Sequence, residues 1–265
     1  MRFSRPLRAR VKARLRAHNR AYPPSAMLTR AARRIANLVF GGTCLLCRGA
    51  ADDAPDEGLL CAACECDLPR LGVEGLCPRC ALPAPGGSPC GACLAAPPQF
   101  DATLAALAYR FPADVLIQAL KFRGVLAISA LLGRVLAQRV DGSERFDAVL
   151  PVPLSAARIR ARGYNQSMEI ARVVARATGL PLRPSLCERI RDSAAQIELP
   201  PAERIRNVRG AFQCPHPLEG LAVAVVDDVM TTGATLDELA RTLKRAGASR
   251  VVNWVAARTF PPRDE

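Results

Sequence analysis

Four C-x-x-C pairs, Cys44/Cys47, Cys61/Cys64, Cys77/Cys80 and Cys90/Cys93, occupy a short stretch of this chain and restrict what it can fold into. A two-residue gap lets both thiolates of one turn reach a single tetrahedral ion, and two such turns close a structural site. Four pairs therefore predict two Zn²⁺ sites. Ligation is all-Cys, because neither His18 nor His216 lies near them. Nine of the eleven cysteines fall between Cys44 and Cys93, and with no secretion signal such clustering argues for metal rather than disulfides. Residues 41–98 are rich in Pro and Gly and show little apolar periodicity, so they cannot build their own core. Zinc binding of about 10–16 kcal/mol per site would offset that lack. Sequential pairing leaves loops of 13 and 9 residues between pairs and is the expected arrangement; cross-braced pairing stays open, and Cys66 is a spare able to replace Cys64. The expected role is structural, with contact to nucleic acid or a partner protein as the second reading. A thioredoxin-like redox site fits poorly, since these pairs lack a βαβ context. Cys187 and Cys214 stand apart and read as ordinary residues.

The net charge of +13 belongs to one end of the molecule. Residues 1–34 hold eleven Arg or Lys and no acid, so the remainder carries only +2. We divide the chain into a basic extension (1–40), a double zinc ribbon (41–98), an α/β domain (99–260) and a short polar tail (261–265). The extension reads as disordered, or as untranslated sequence ahead of Met27. A functional alternative is an arm for nucleic acid or an anionic membrane, because clustered cations bind phosphates by counterion release. An Arg-rich, acid-free start also has the character of a mitochondrial transit peptide. No apolar run reaches the 18 residues of a membrane span, so a soluble, cytoplasmic protein is expected.

Periodicity places the elements of the α/β domain. Ile128, Leu131, Leu132, Val135 and Leu136 recur at helical spacing, as do Ile170, Val173, Val174 and Ala177 before Gly179 and Pro181. Residues 147–152 (DAVLPV) read as a buried strand, and AVAVV (222–226) as a strand covered on both faces. Leu236, Leu239, Ala240, Leu243 and Ala246 mark a helix with Asp237 and Glu238 in its first turn and Lys244 and Arg245 in its last. RVVNWVAA (250–257) is a final strand, and strand–helix–strand at this spacing implies a parallel sheet. Residues 192–210 read as a long mobile loop.

The chemistry concentrates in VVDDVMTTGATL, residues 225–236. This stretch leaves a buried strand and opens a helix, so it lies at the carboxyl edge of the sheet, where α/β ligands bind. Met230, Thr231, Thr232, Gly233, Ala234 and Thr235 bring backbone amides, small side chains and hydroxyls to a helix N-terminus, an anion-binding arrangement. Asp227 and Asp228, just ahead of it, suit ribose hydroxyls or a bound Mg²⁺ rather than phosphate. A nucleotide hydrolase would need G-x-x-x-x-G-K-[ST], which the chain lacks. Adjacent acids cannot flank a sugar as a glycosidase requires, and no Ser–His–Asp or Cys–His set is available.

This turn resembles the phosphoribosyl pyrophosphate (PRPP) signature of type I phosphoribosyltransferases. Together with the C-x-x-C array, LKFRG (120–124), PVPLSAARIRARGYNQS (151–167) and the Arg/Gln/Asn-containing loop 189–212, it makes residues 41–260 similar to the ComF family. That resemblance implies a type I phosphoribosyltransferase-like parallel sheet flanked by helices, behind a zinc-ribbon domain. It implies Asp227 and Asp228 on the ribose hydroxyls, residues 230–235 around the 5′-phosphate, and Mg²⁺ bound with PRPP. The PVPL turn would be the pyrophosphate loop, with Arg158, Arg160 and Arg162 beside the leaving group and Arg158 and Arg162 catalytic. Lys121 in the LKFRG turn, Asn165, Gln166, and the loop residues Gln196, Arg204 and Asn207 are expected ligand contacts, the loop acting as a hood. Two functions follow. One is displacement of pyrophosphate by a nitrogen nucleophile; the other is non-catalytic handling of single-stranded DNA during natural transformation, with competence or DNA-processing proteins as partners.

Overall fold

The structure is a computed structural model and describes residues 42–51, 59–72, 74–191 and 208–261. The basic extension and the segment 192–207 lie outside the described residues. Two compact units are present: residues up to Pro69 with Arg110–Leu131, and Arg70–Tyr109 with Leu132–Glu265. The first contains helix α1 (Ala62–Cys66) and helix α3 (Ala113–Arg123). The second begins with a short helix α2 (Gly91–Ala95), and helix α4 (Ala127–Ala137) runs across the boundary in sequence.

The second unit is built on a four-stranded sheet of β1 (Ala102–Ala108), β2 (Ala148–Pro151), β5 (Ala222–Met230) and β6 (Arg250–Arg258), in the order β1-β6-β5-β2. Every pairing is parallel, as the strand–helix–strand spacing requires. The inner strand β5 carries the run AVAVV, and Val223, Ala224, Val225 and Val226 are all at most 1% exposed. Between β5 and β6 the chain forms helix α7 (Ala234–Arg245), whose Leu236, Leu239, Ala240 and Leu243 are buried on one stripe. Helices α5 (Ala156–Arg162) and α6 (Gln166–Thr178) follow β2. On the other side of the sheet, Trp254 packs edge-on against Phe146, with ring centroids 5.0 Å apart.

The expected strands and helices are present, with β5 running four residues past the apolar run, to Met230. One feature departs from expectation. LKFRG is not a free turn: Lys121 sits in the last turn of α3, and Gly124 closes that helix in the left-handed conformation (φ 65°). The basic run after PVPL is helical. It is helix α5, capped by Ser155, whose hydroxyl accepts from the Arg158 amide.

Candidate functional site

The eight paired cysteines form two clusters, Cys44/Cys47/Cys61/Cys64 in the first unit and Cys77/Cys80/Cys90/Cys93 in the second; within each, all four sulfurs lie within 4.8 Å of one another. The sulfurs of Cys47 and Cys61, and those of Cys80 and Cys90, are 3.6 Å apart. Tetrahedral Zn–S bonds of about 2.3 Å place sulfurs about 3.8 Å apart, so both clusters fit the ion. Pairing is sequential, and Cys64 rather than the exposed Cys66 completes the first cluster. Backbone amides prepare the thiolates. Burial alone would push the Cys77 thiol up, but the amides of Cys80, Cys90 and Arg79 bring it down to about 7. Cys44 is likewise brought down to about 7 against its burial, by the amides of Cys47, Cys61 and Leu46.

At the sheet's carboxyl edge, β5 ends in Asp227–Met230 and hands over to α7 through Thr231, Thr232 and Gly233. Gly233 is the N-cap with φ 86°, and a Cβ there would come 2.7 Å from the Met230 Cε. Thr231 and Thr232 are exposed, Ala234 and Thr235 half-buried. The Thr232 hydroxyl accepts from the Ala234 amide at 3.4 Å. Asp228 is buried, Asp227 half-buried. The Asp227 Oδ1 accepts from the Ser167 hydroxyl at 2.8 Å and from the Asp228 amide at 2.9 Å. Ser167 lies in the first turn of α6, so this bond joins the acid pair to the neighbouring helix.

Asn165 makes the adjoining corner. Its Oδ1 caps α6 by accepting from the Ser167 and Met168 amides, while its Nδ2 donates to the Val152 carbonyl at 3.0 Å, where β2 ends. A carboxylate could not do both, which is why an amide suits the position. Gln166 is buried; its Oε1 accepts from Arg162, and its Nε2 has no partner among the described residues. Arg158 and Arg162 are half-buried on α5 and Arg160 is exposed. The structure thus gathers Asp227, Asp228, Ser167, Asn165, Gln166 and Arg162 where β2, α6 and β5 converge. Lys121 belongs to the other unit. Gln196, Arg204 and Asn207 lie outside the described residues.

The residues flanking 192–207 are ordered as a stem. β3 (Glu188–Arg189) pairs antiparallel with β4 (Phe212–Gln213), and the Gly210 amide donates to the Glu238 carboxylate on α7 at 2.7 Å. Glu238 also binds Arg241, which, with the Gly210 amide, holds its carboxyl below the usual range against the effect of its burial. The stem corrects one expectation. Cys187 and Cys214 are not isolated, because the register of the ladder brings them opposite each other. That proximity, with burial, pushes Cys187 up, and it draws Cys214 down against the effect of burial.

Two residues here escaped the sequence reading. Ser167 carried no signal beyond following Asn165. Arg258 carried a faint one, a charge ending a strand buried on both faces. It is 3% exposed, and its guanidinium donates to the carbonyls of Cys80 (2.7 Å), Met230 (2.9 Å), Thr259 (2.9 Å) and Thr231.

Comparison with known proteins agrees with the two cysteine clusters. The double zinc ribbon domain family matches residues 35–94. The DNA utilization protein YhgH of Salmonella typhimurium is 36% identical over 230 residues, covering 84% of this chain and all of that protein. Competence protein F of Haemophilus influenzae is 29% identical over 235 residues, covering 83% of this chain and 98% of its own. Among solved structures, a purine phosphoribosyltransferase from Pyrococcus horikoshii is 16% identical, covering 52% of this chain and 92% of that one at a TM-score of 0.31, too low to carry an argument. Among the described residues, no helix is long and apolar enough to cross a membrane.

Proposed function

This chain belongs to the ComF family, and on that footing we propose that it binds PRPP through the Asp227–Thr235 turn, in the service of DNA handling. The observation that carries the reading is the turn itself: an acid pair at the end of an inner parallel strand, then exposed threonines and a left-handed glycine opening a helix. Helix α7 directs its dipole and first-turn amides at an anion, and the threonine hydroxyls add donors. Asp227 and Asp228 take the ribose hydroxyls, with Ser167 holding the Asp227 carboxylate in place. Arg158 and Arg162 lie on α5, at the same sheet edge, with the planar forks that suit a pyrophosphate. The acids also suit Mg²⁺, which when bound with the ligand supplies neutralising charge to the pyrophosphate. With both sides of the pyrophosphate stabilised, its displacement from ribose C1 by a nitrogen nucleophile, the C–N bond forming as the C–O bond breaks, needs positioning and electrostatics but no covalent residue.

The names of the relatives, a DNA utilization protein and a competence protein, favour DNA as what the PRPP site serves. Calorimetric titration of PRPP with Mg²⁺ tests the reading, wild type against the double variant Asp227→Asn/Asp228→Asn. Wild type should saturate and the variant bind at least about tenfold more weakly. Absence of heat from wild type, or equal affinity in the variant, removes it. Single-stranded oligonucleotide binding with a steep salt dependence, altered by PRPP, would attach the site to DNA; binding indifferent to PRPP would detach it.

A further inference from the structure

The second metal centre and the phosphate turn lie in one unit and share one buried cluster: Cys77, Cys80 and Cys93 pack with Phe100, Met230 and Leu236. The chain leaving that ribbon is bonded to the sheet and to α7. Gln99 donates its amide to the Asp237 carboxylate at 2.6 Å, Asp101 pairs with Lys244 at 2.6 Å, and the Thr103 amide donates to the Pro78 carbonyl at 3.0 Å. One side chain touches both sites. Arg258 holds the Cys80 carbonyl from one edge of its fork and the Met230 and Thr231 carbonyls from the other.

Two consequences follow from elementary chemistry. In a trans peptide the carbonyl and the amide of one unit point in opposite directions. With the Met230 and Thr231 carbonyls drawn back to Arg258, the amides of Thr231 and Thr232 are aimed away from it. Among the described residues, the amides of Thr231, Thr232 and Gly233 have no backbone acceptor outside the strand ladder. The second consequence concerns charge. The four carbonyls that accept from this guanidinium are neutral and bring no counter-charge, and a buried cation without one is costly. Four thiolates around one Zn²⁺ carry a formal charge of about −2, and Cys80, Cys93 and Cys90 are near enough to act on Arg258.

We propose that Arg258 is a positioning residue through which the Cys77/Cys80/Cys90/Cys93 zinc centre holds the phosphate-binding turn in its anion-ready form. The zinc centre supplies the counter-charge that keeps the guanidinium buried, and the guanidinium orients the turn. The Cys44/Cys47/Cys61/Cys64 centre, which belongs to the other unit, plays no part in it. The functional half of this proposal rests on PRPP binding as read above; the coupling itself does not. By linkage, occupancy of the turn and retention of this one zinc should reinforce each other.

The test uses the full-length zinc-loaded chain and the variants Arg258→Gln and Arg258→Lys. The readouts are hydrogen exchange of the peptide spanning Val229–Thr235, zinc release to a chromogenic chelator, and calorimetric affinity for PRPP with Mg²⁺. In Arg258→Gln, exchange of the turn should rise at least about tenfold and one of the two zinc equivalents should leave faster, the other at the wild-type rate. Arg258→Lys, which keeps the charge without the fork, should retain its zinc but show the loosened turn. PRPP affinity should fall with turn exchange in both, and added PRPP should slow release of one zinc in wild type. Should Arg258→Gln fail to fold, Arg258→Lys and the effect of selective zinc loss on wild-type exchange decide the matter. Turn exchange and zinc release unchanged in a folded variant overturn the proposal, as does a turn indifferent to loss of the second zinc. Wild type that does not bind PRPP at all sinks the functional reading, while exchange and zinc release still decide the coupling.

Discussion

Gly233→Ala is the most direct probe of the phosphate turn. Gly233 holds φ 86°, and an alanine in left-handed backbone costs about 1–2 kcal/mol. The new Cβ would also stand 2.7 Å from the Met230 Cε, with Phe100 carbons at 3.9 Å. The Met230 methyl is the movable end of a flexible side chain, but that side chain is only 2% exposed. The contact term should therefore fall near the low end of the overpacking range, about 1 kcal/mol. The total is about 2–3 kcal/mol. Gly220 supplies the control: φ is 77° and nothing lies within 4 Å of its would-be Cβ, so Gly220→Ala should lose only the backbone term. Urea unfolding of wild type and both variants measures the difference, with PRPP titration of the folded proteins as a second readout. Equal losses in the two variants would refute the Met230 contact, and no loss in either would refute the backbone argument as well.

Gly133 lies inside α4, where alanine ordinarily stabilises by about 1 kcal/mol. Here its Cβ would meet the Val173 Cβ at 2.6 Å and the Ile170 carbonyl oxygen at 3.0 Å, so Gly133→Ala should instead lower stability in urea. A gain would show that α4 and α6 separate freely. Ser167→Ala removes the hydroxyl that holds Asp227, and should weaken PRPP binding by about 1–2 kcal/mol with little change in unfolding midpoint; unchanged affinity contradicts the placement of Asp227 on the ribose. Glu238→Gln should destabilise by about 1–3 kcal/mol at neutral pH by breaking the two-oxygen ion pair with Arg241, while the remaining side-chain oxygen can still accept from the Gly210 amide. Because the folded carboxyl titrates below its ordinary 4.5, that stabilisation is complete above this value and disappears as pH falls through the folded one. The gap between wild type and variant should therefore close on acidification, and a gap that does not narrow as the pH falls would argue against the ion pair.

Some elements were legible because local chemistry alone decides them. Asn165 between Tyr164 and Gln166 announces an N-cap, and α6 begins there. The run at 222–226 allows no amphipathic reading and is an inner strand. Helix α3 was missed for the converse reason. Val115, Leu116, Ile117, Ala119 and Leu120 are all buried, with Asp114 among them, so no polar stripe marks a period. Likewise β1 is ATLAALA, a run with no strand preference of its own, and its pairing with β6 makes it a strand.

From residue order alone came the four C-x-x-C pairs, the parallel α/β scheme and the turn between β5 and α7, because each depends on spacings of a few residues and on forces acting within one element. Only the folded chain could set Cys187 against Cys214, Ser167 under Asp227 sixty positions away, or Arg258 between the Cys80 carbonyl 178 positions earlier and the turn's own carbonyls. Such bonds join residues with no periodicity in common. They form because a buried polar group must take whatever partner the packing of the strands brings within reach.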